Sequence, residues 1–131
     1  MTSMSKDVAE FHAVILGVSL PESPTLVSPE WIIERGNFLN EELEEFLEGG
    51  ITGNIVGAVD GLLDIVYVAL GTLYQMGVPT EACWDLVQRA NMAKVRGETK
   101  RGNKIDARKP EGWVGPEAGI AALIGRAIDE A

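Results

Sequence analysis

The spacing of apolar residues constrains the fold of this 131-residue chain more than any other feature of its sequence. In almost every long segment the apolar residues recur every three or four positions, which is the period of an α-helix rather than of a strand. We therefore predict an all-α fold of about five helices. Their expected bounds are roughly 5–17, 29–48, 54–76, 80–96 and 116–130, with proline and glycine at several of the ends.

The chain shows no internal repeat and no segment of low complexity, so we predict one domain over residues 1–131. Its single cysteine, Cys83, excludes an intramolecular disulfide framework and indicates a reducing, cytoplasmic setting. The longest apolar run, residues 62–70, is interrupted by Asp64 and is too short to span a bilayer. Neither a secreted protein nor a membrane partner is expected.

Charge is distributed unevenly along this acidic chain, whose formal net charge is −9. Residues 30–64 hold nine acidic side chains and one basic one, Arg35, whereas residues 94–109 hold seven of the eleven basic side chains. The basic residues fall largely in a predicted loop, 97–115, which has no apolar periodicity. Such a loop is either a solvated, mobile segment or a cover over an anionic substrate. Because no aromatic residues alternate with its basic ones, we expect no stable nucleic-acid partner.

One carboxylate interrupts the apolar stripe of the second predicted helix. Glu42 falls between Phe38, Leu39 and Phe46, while Glu41 and Glu45 lie at the edge of the stripe. An unpaired buried charge costs several kcal/mol or becomes neutral, so Glu42 needs a partner. Basic residues that would supply an ion pair are scarce in this part of the chain.

The third predicted helix carries a second acidic pair, Asp60 and Asp64, on a face that is otherwise rich in glycine. If the second and third helices pack antiparallel, residues 42–45 and 60–64 lie at similar heights. Oxygen ligands suit Mg²⁺ or Mn²⁺, and a chain with one histidine and one cysteine is a poor candidate for a zinc centre. The alternative is that these carboxylates are solvated and that some of them are protonated.

Several short motifs, taken in their order along the chain, resemble the all-α nucleoside triphosphate pyrophosphohydrolases. These comprise the MazG-like and phosphoribosyl-ATP pyrophosphohydrolase-like proteins, including short members found in phages. The motifs are Glu41-Glu42-Leu43-Glu44-Glu45, the run from Asp60-Gly61 to Asp64, Asn91-Met92-Ala93-Lys94, and the tail from Gly102-Asn103-Lys104 to Lys109-Pro110 and Pro116.

The resemblance implies a MazG-like helical bundle that hydrolyses a nucleoside triphosphate between its α and β phosphates. It implies that Glu42, Glu45, Asp64 and Asp60 hold Mg²⁺, which Mn²⁺ can replace. Glu41 and Glu42 are the implied catalytic residues, with Glu41 orienting or deprotonating the attacking water. The sequence departs from the family at residue 61, which is glycine where the family has glutamate, and Asp60 is the nearest acidic substitute.

The same resemblance implies that Asn91, Lys94, Lys104 and Lys109 bind the substrate. The third helix is apolar nearly all round, so we expect a homodimer or homotetramer whose contacts complete the core. The expected substrate is a ribo- or deoxyribonucleoside triphosphate, with dGTP favoured. Two alternatives remain: a phosphoribosyl-ATP pyrophosphohydrolase of histidine synthesis, and a non-catalytic acidic helical protein that binds or inhibits a basic partner.

Overall fold

A computed structural model of the chain describes residues 3–131 and confirms the all-α class. Within that range it has five α-helices, a π-helical turn and a sheet of two short strands. The elements are α1 (Ser3–Phe11), the π-helical turn (His12–Leu16), α2 (Pro29–Ile51), α3 (Ile55–Gln75), α4 (Thr80–Met92), β1 (Val95–Gly97), β2 (Asp106–Arg108) and α5 (Glu117–Asp129).

Two expectations for the region around the basic segment are wrong: the end of the fourth helix and the absence of regular structure in the loop that follows. The fourth helix ends at Met92 rather than near residue 96, because Val95–Gly97 leaves the helix to form β1. The predicted loop over residues 97–115 contains β2, which pairs antiparallel with β1. Strands of three residues are too short to produce a readable alternation of apolar and polar side chains, so the sequence gives no sign of this hairpin.

The chain divides into two compact units at Val78 and Pro79. The N-terminal unit, as far as it is described, comprises residues 3–78 and holds α1, the π-helical turn, α2 and α3. The C-terminal unit, Pro79–Ala131, holds α4, the hairpin and α5. A single domain over residues 1–131 stays a prediction.

Side-chain caps fix the beginnings of the two long helices of the N-terminal unit. The Ser28 hydroxyl accepts a hydrogen bond of 3.1 Å from the Trp31 amide, and Pro29 occupies the first turn of α2. The Asn54 side-chain oxygen accepts a hydrogen bond of 3.0 Å from the Gly57 amide at the start of α3. Only three residues separate α2 from α3, so the chain reverses tightly between them.

Helices α2 and α3 pack antiparallel, which is the condition under which residues 42–45 and 60–64 lie at similar heights. Contacts near the connecting turn join Gly49 to Ala58, and contacts farther from it join Arg35 to Thr72. The residue numbers of contacting pairs therefore rise along α3 as they fall along α2, which is the pattern of an antiparallel pair. Gly61 is buried at a close approach of the two backbones, since a Cβ atom there would lie 2.8 Å from the Phe46 amide nitrogen. This crossing fixes the height at which side chains of the two helices meet.

The N-terminal unit leaves much of its apolar surface uncovered. Among the described residues only Val8 and Val68 are buried hydrophobic side chains, whereas Ile55 and Val56 of α3 are 76% and 75% exposed. By length and composition alone α3 is apolar enough to cross a membrane, and 17% of its most apolar stretch of 18 residues is buried. A core helix of a soluble protein meets the same criterion, and α3 carries two aspartates, so this is weak support for a membrane span.

Trp113 connects the hairpin region to α4 within the C-terminal unit. Its indole N–H donates a hydrogen bond of 2.8 Å to the Ala90 carbonyl. The turn of the hairpin is closed by an ion pair of 2.6 Å between Arg101 and Asp106, and Thr99 also donates to the Asp106 carboxylate. The pKa of Asp106 falls to about 2, chiefly because of the Thr99 hydrogen bond and then that of the Ala107 amide. The basic segment is thus partly ordered.

Candidate metal centre and adjoining pocket

Three carboxylates meet where α2 and α3 cross. One ligand oxygen from each of Glu42, Glu45 and Asp64 lies within 4.8 Å of the other two. Glu42 and Glu45 stand one helical turn apart on α2, and Asp64 faces them from α3. Asp64 follows Gly61 by one turn, so the close approach at Gly61 brings its carboxylate to the glutamates. We call these three residues the acidic cluster.

Glu42 is the electrostatically unusual member of the acidic cluster. Its Oε2 atom is buried and has no hydrogen-bond partner within residues 3–131. The pKa of Glu42 is raised to about 7, chiefly by burial and then by the neighbouring carboxylates of Glu45 and Asp64. At neutral pH the cluster therefore favours a bound proton or a bound cation.

The donor set fits a hard divalent cation. All three groups offer carboxylate oxygen, the ligand that Mg²⁺ and Mn²⁺ prefer, and the buried Oε2 of Glu42 lacks the partner that a cation would supply. The chain's one histidine, His12, is used elsewhere: its ring nitrogens lie 2.8 Å from the Val8 carbonyl and 3.0 Å from the Gln75 amide nitrogen. His12 is buried, and both of its ring nitrogens are engaged within the N-terminal unit.

The structure brings together three of the five acidic residues singled out in the sequence. Glu41 is exposed on α2 beside Glu42, and its oxygens are not among those of the cluster. Asp60 is exposed on α3 and lines a shallow depression with Ile55, Val56, Val59 and Leu63. Within the described residues it lies outside the cluster, so its role as a metal ligand stays a prediction.

The predicted substrate-binding residues all lie in the C-terminal unit. Asn91 is near the end of α4, and Lys104 is exposed in the hairpin turn. The ammonium groups of Lys94 and Lys109 both approach the Trp113 ring, at 5.3 Å and 5.1 Å from its centroid. Both lysines also line a groove of about 810 Å³, together with Glu98, Thr99, Lys100, Arg101, Ala107 and Arg108. Contact of these residues with substrate stays a prediction.

A pocket of about 490 Å³ adjoins the acidic cluster, and the sequence did not reveal it. Glu42 and Asp64 form part of its lining, and Arg35 lies in the same cavity. One signal was available: Arg35 precedes Glu42 by seven residues, or two helical turns, and so shares its face of α2. We call this cavity the Arg35 pocket; its other lining residues are Phe11, His12, Leu16, Phe38, Tyr67, Val68 and Gly71.

Comparison with known proteins identifies the family of the chain. A family model of phosphoribosyl-ATP pyrophosphohydrolases matches residues 8–91, which is more than half of the chain and includes the whole acidic cluster. No curated protein gives a significant match. The family consists of hydrolases that act on acid anhydrides. The chain belongs to the phosphoribosyl-ATP pyrophosphohydrolase family, within the MazG-like all-α NTP pyrophosphohydrolase superfamily.

Proposed function

We propose that this protein is a Mg²⁺-dependent nucleotide pyrophosphohydrolase that cleaves nucleoside triphosphates between the α and β phosphates. Its products are a nucleoside monophosphate and pyrophosphate. The observation that carries the proposal is the buried, unpartnered Oε2 of Glu42 within 4.8 Å of two further carboxylates, in a chain of this family. A site whose ligands are all carboxylates favours Mg²⁺, and a Mg²⁺ ion held by carboxylates also binds the phosphate oxygens of a substrate.

Glu42, Glu45 and Asp64 are the residues that would hold the metal, and Mn²⁺ would serve in place of Mg²⁺. When bound, the ion would neutralise part of the phosphate charge and would make a water molecule easier to deprotonate. Glu41, which is exposed next to Glu42, would accept the proton of the attacking water or orient that water. Asp60, four residues before Asp64, would join through an intervening water.

Positive charge for the triphosphate is proposed to come from the C-terminal unit. Lys94 and Lys109 hold two ammonium groups against one indole ring, and an anion between them would offset their mutual repulsion. Lys104 and Asn91 would add a further cation and an amide. This assignment is supported by the basic groove that the two Trp113-bound lysines share.

We further propose a cytoplasmic homodimer or homotetramer. The support is the apolar surface of α3, where Ile55, Val56 and Leu63 are 76%, 75% and 61% exposed. An apolar face of this extent is typical of a subunit interface, because single chains seldom leave one open to water.

The preferred substrates are ribo- and deoxyribonucleoside triphosphates, with dGTP foremost. Phosphoribosyl-ATP is a second candidate, because the matching family model describes enzymes of that substrate. Both substrates would be cleaved at the same kind of phosphoanhydride bond, so the acidic cluster would act identically on them. Only the part of the site that contacts the base and sugar would differ.

A substrate panel tests the proposal. The protein would be incubated with the eight common ribo- and deoxyribonucleoside triphosphates and with phosphoribosyl-ATP, in Mg²⁺, in Mn²⁺ and in EDTA. Pyrophosphate, orthophosphate and monophosphate would be measured separately. We expect pyrophosphate and monophosphate in equal amounts and only with metal. Release of orthophosphate would contradict the proposed bond cleavage, and no release from any substrate would favour a non-catalytic binding protein.

A further inference from the structure

The Arg35 pocket contains a cation that the proposed hydrolysis does not use. Arg35 is half-buried, and its Cζ lies 6.0 Å from the Trp31 ring centroid and 5.7 Å from that of Phe38. Among the described residues, Arg35 forms no ion pair with a carboxylate. Burial lowers its pKa, yet a guanidinium group remains charged in proteins. A partly desolvated charge of this kind needs hydrogen-bond acceptors for its N–H groups.

Hydrogen bonds to α3 hold the guanidinium in one orientation. Its Nε donates to the Thr72 hydroxyl at 2.9 Å, and its Nη2 donates to the Val68 carbonyl at 3.1 Å. A guanidinium group has five N–H donors in a fixed plane, so these two bonds leave donors for a ligand. Because Arg35 also lines the cavity, a planar acceptor entering the cavity would meet an oriented donor.

His12 also lines the pocket, and both of its ring nitrogens already form hydrogen bonds within the protein. The Trp31 indole N–H donates to the Gln75 side-chain oxygen at 3.0 Å, which leaves the Gln75 amide group to donate to His12 Nε2. His12 Nδ1 therefore carries the ring proton and donates it to the Val8 carbonyl. The histidine thus has no free ring nitrogen for a ligand, and Arg35 is the cationic donor of the pocket.

The rest of the pocket suits a flat ring. Phe11 and Tyr67 meet edge to face with their centroids 5.6 Å apart, and Phe38 lies on the side of α2. Aromatic walls of this kind stack on nucleobases. Glu42 and Asp64 lie in the same lining, so a nucleotide with its phosphates at the acidic cluster would carry its base into this cavity.

We propose that the Arg35 pocket receives the base of the nucleotide and that Arg35 is a specificity-determining residue, which donates to a base carbonyl. The inference rests on the proposed function and adds the cavity and the residue that would discriminate between bases. Guanine and hypoxanthine present a carbonyl oxygen and a ring nitrogen acceptor on one edge, whereas adenine presents an amino donor in place of the carbonyl. Arg35 therefore favours 6-oxopurines over adenine.

Binding of reaction products tests this without turnover. GMP, IMP and AMP have the same sugar and the same single phosphate and differ only in the base. Calorimetric titration of the full chain in Mg²⁺ therefore measures how the base alone changes the binding affinity. We expect GMP and IMP to bind about tenfold more tightly than AMP, the scale of one good arginine contact with a base edge. Arg35→Met should bring the three affinities within about twofold of one another. The matched control Arg126→Met removes an exposed arginine of α5 and should keep the wild-type ratio.

Equal binding of the three products by the wild-type protein would overturn the inference. So would an unchanged ratio in an Arg35→Met protein that still unfolds cooperatively. If Arg35→Met does not fold, Arg35→Lys decides: it keeps the charge but loses the planar fork, so the ratio should fall, and an unchanged ratio overturns the inference. Selective binding without pyrophosphate release would sink the proposed function alone, whereas pyrophosphate release without base preference would sink this inference alone.

Discussion

Gly61 of α3 lies against the backbone of Phe46 in α2, with space for a hydrogen atom and not for a side chain. A Cβ atom at residue 61 would come within 2.8 Å of the Phe46 nitrogen and 3.0 Å of its Cα. The sequence resemblance places a glutamate at this position in related proteins. Here the acidic cluster is formed by Glu42, Glu45 and Asp64 around a helix crossing that this glycine permits.

Replacement of Gly61 by alanine should destabilise the protein by roughly 1–3 kcal/mol, because backbone atoms must move to admit the methyl group. Gly36→Ala is the matched control, since nothing lies within 4 Å of a Cβ atom there and α2 is helical at that point. The control should stabilise by about 0.5–1 kcal/mol. Urea unfolding measures both, and equal effects of the two substitutions would contradict the close approach.

Glu42→Gln should abolish metal-dependent pyrophosphate release while leaving a folded protein. The amide keeps the size of the side chain but removes its charge, and a loss of about 100-fold or more in kcat is expected for an essential electrostatic group. Glu48→Gln, also on α2 and exposed, should retain wild-type activity. Circular dichroism checks the fold, and substantial activity in a folded Glu42→Gln protein would remove Glu42 from the site.

The metal-free protein should lose stability as the pH rises from about 4.5 to about 7. The pKa of Glu42 is raised from 4.5 to about 7 by folding, so the folded state binds its proton more tightly than the unfolded state. This contribution is fully present below about pH 4.5 and is lost as the pH passes through the folded pKa. Thermal unfolding in EDTA measures it.

Comparison with Glu42→Gln isolates that contribution. The difference in melting temperature between wild type and variant should change across this pH window, whereas the Glu48→Gln control should follow wild type throughout. Mg²⁺ should raise the wild-type melting temperature more at pH 8 than at pH 5.5, because protons compete with the metal at Glu42. A difference that stays flat with pH would show that Glu42 titrates normally.

Gln75→Leu should destabilise the N-terminal unit by about 1–3 kcal/mol, the cost of leaving buried polar groups without partners. The Gln75 side chain accepts from the Trp31 indole and donates to His12, and both bonds measure 3.0 Å. The control Gln88→Leu changes an exposed glutamine of α4 and should shift stability by less than about 0.5 kcal/mol. Urea unfolding followed by circular dichroism compares them; equal stabilities would argue against this network.

Val56→Lys should shift the protein towards monomers if the exposed face of α3 is the subunit interface. Val56 is 75% exposed, and a lysine ammonium buried at an apolar contact would be costly. Val114→Lys places the same charge at a residue that is 76% exposed in the C-terminal unit and should leave the assembly intact. Light scattering gives the mass of each protein. A monomeric wild type would refute the assembly proposal itself.

The sequence by itself determined the all-α class, the approximate helix bounds and the acidic character of α2 and α3. These follow from local rules: apolar residues repeat with the helical period, proline and glycine mark several helix ends, and charged residues are costly on an apolar stripe. Glu42 stands out for that last reason, independently of the family resemblance. The short hairpin at Val95–Gly97 and Asp106–Arg108 escaped prediction because three-residue strands carry no usable period.

Tertiary structure decided which of the candidate residues meet. Asp60 and Asp64 are one turn apart and chemically alike, yet Asp64 joins the glutamates while Asp60 lies in a separate depression. The close helix crossing at Gly61 fixes that outcome, and a crossing angle or height depends on contacts between distant residues. Arg35 likewise gained a candidate role only when Thr72 and Val68 of α3 were seen to hold its guanidinium beside an aromatic cavity.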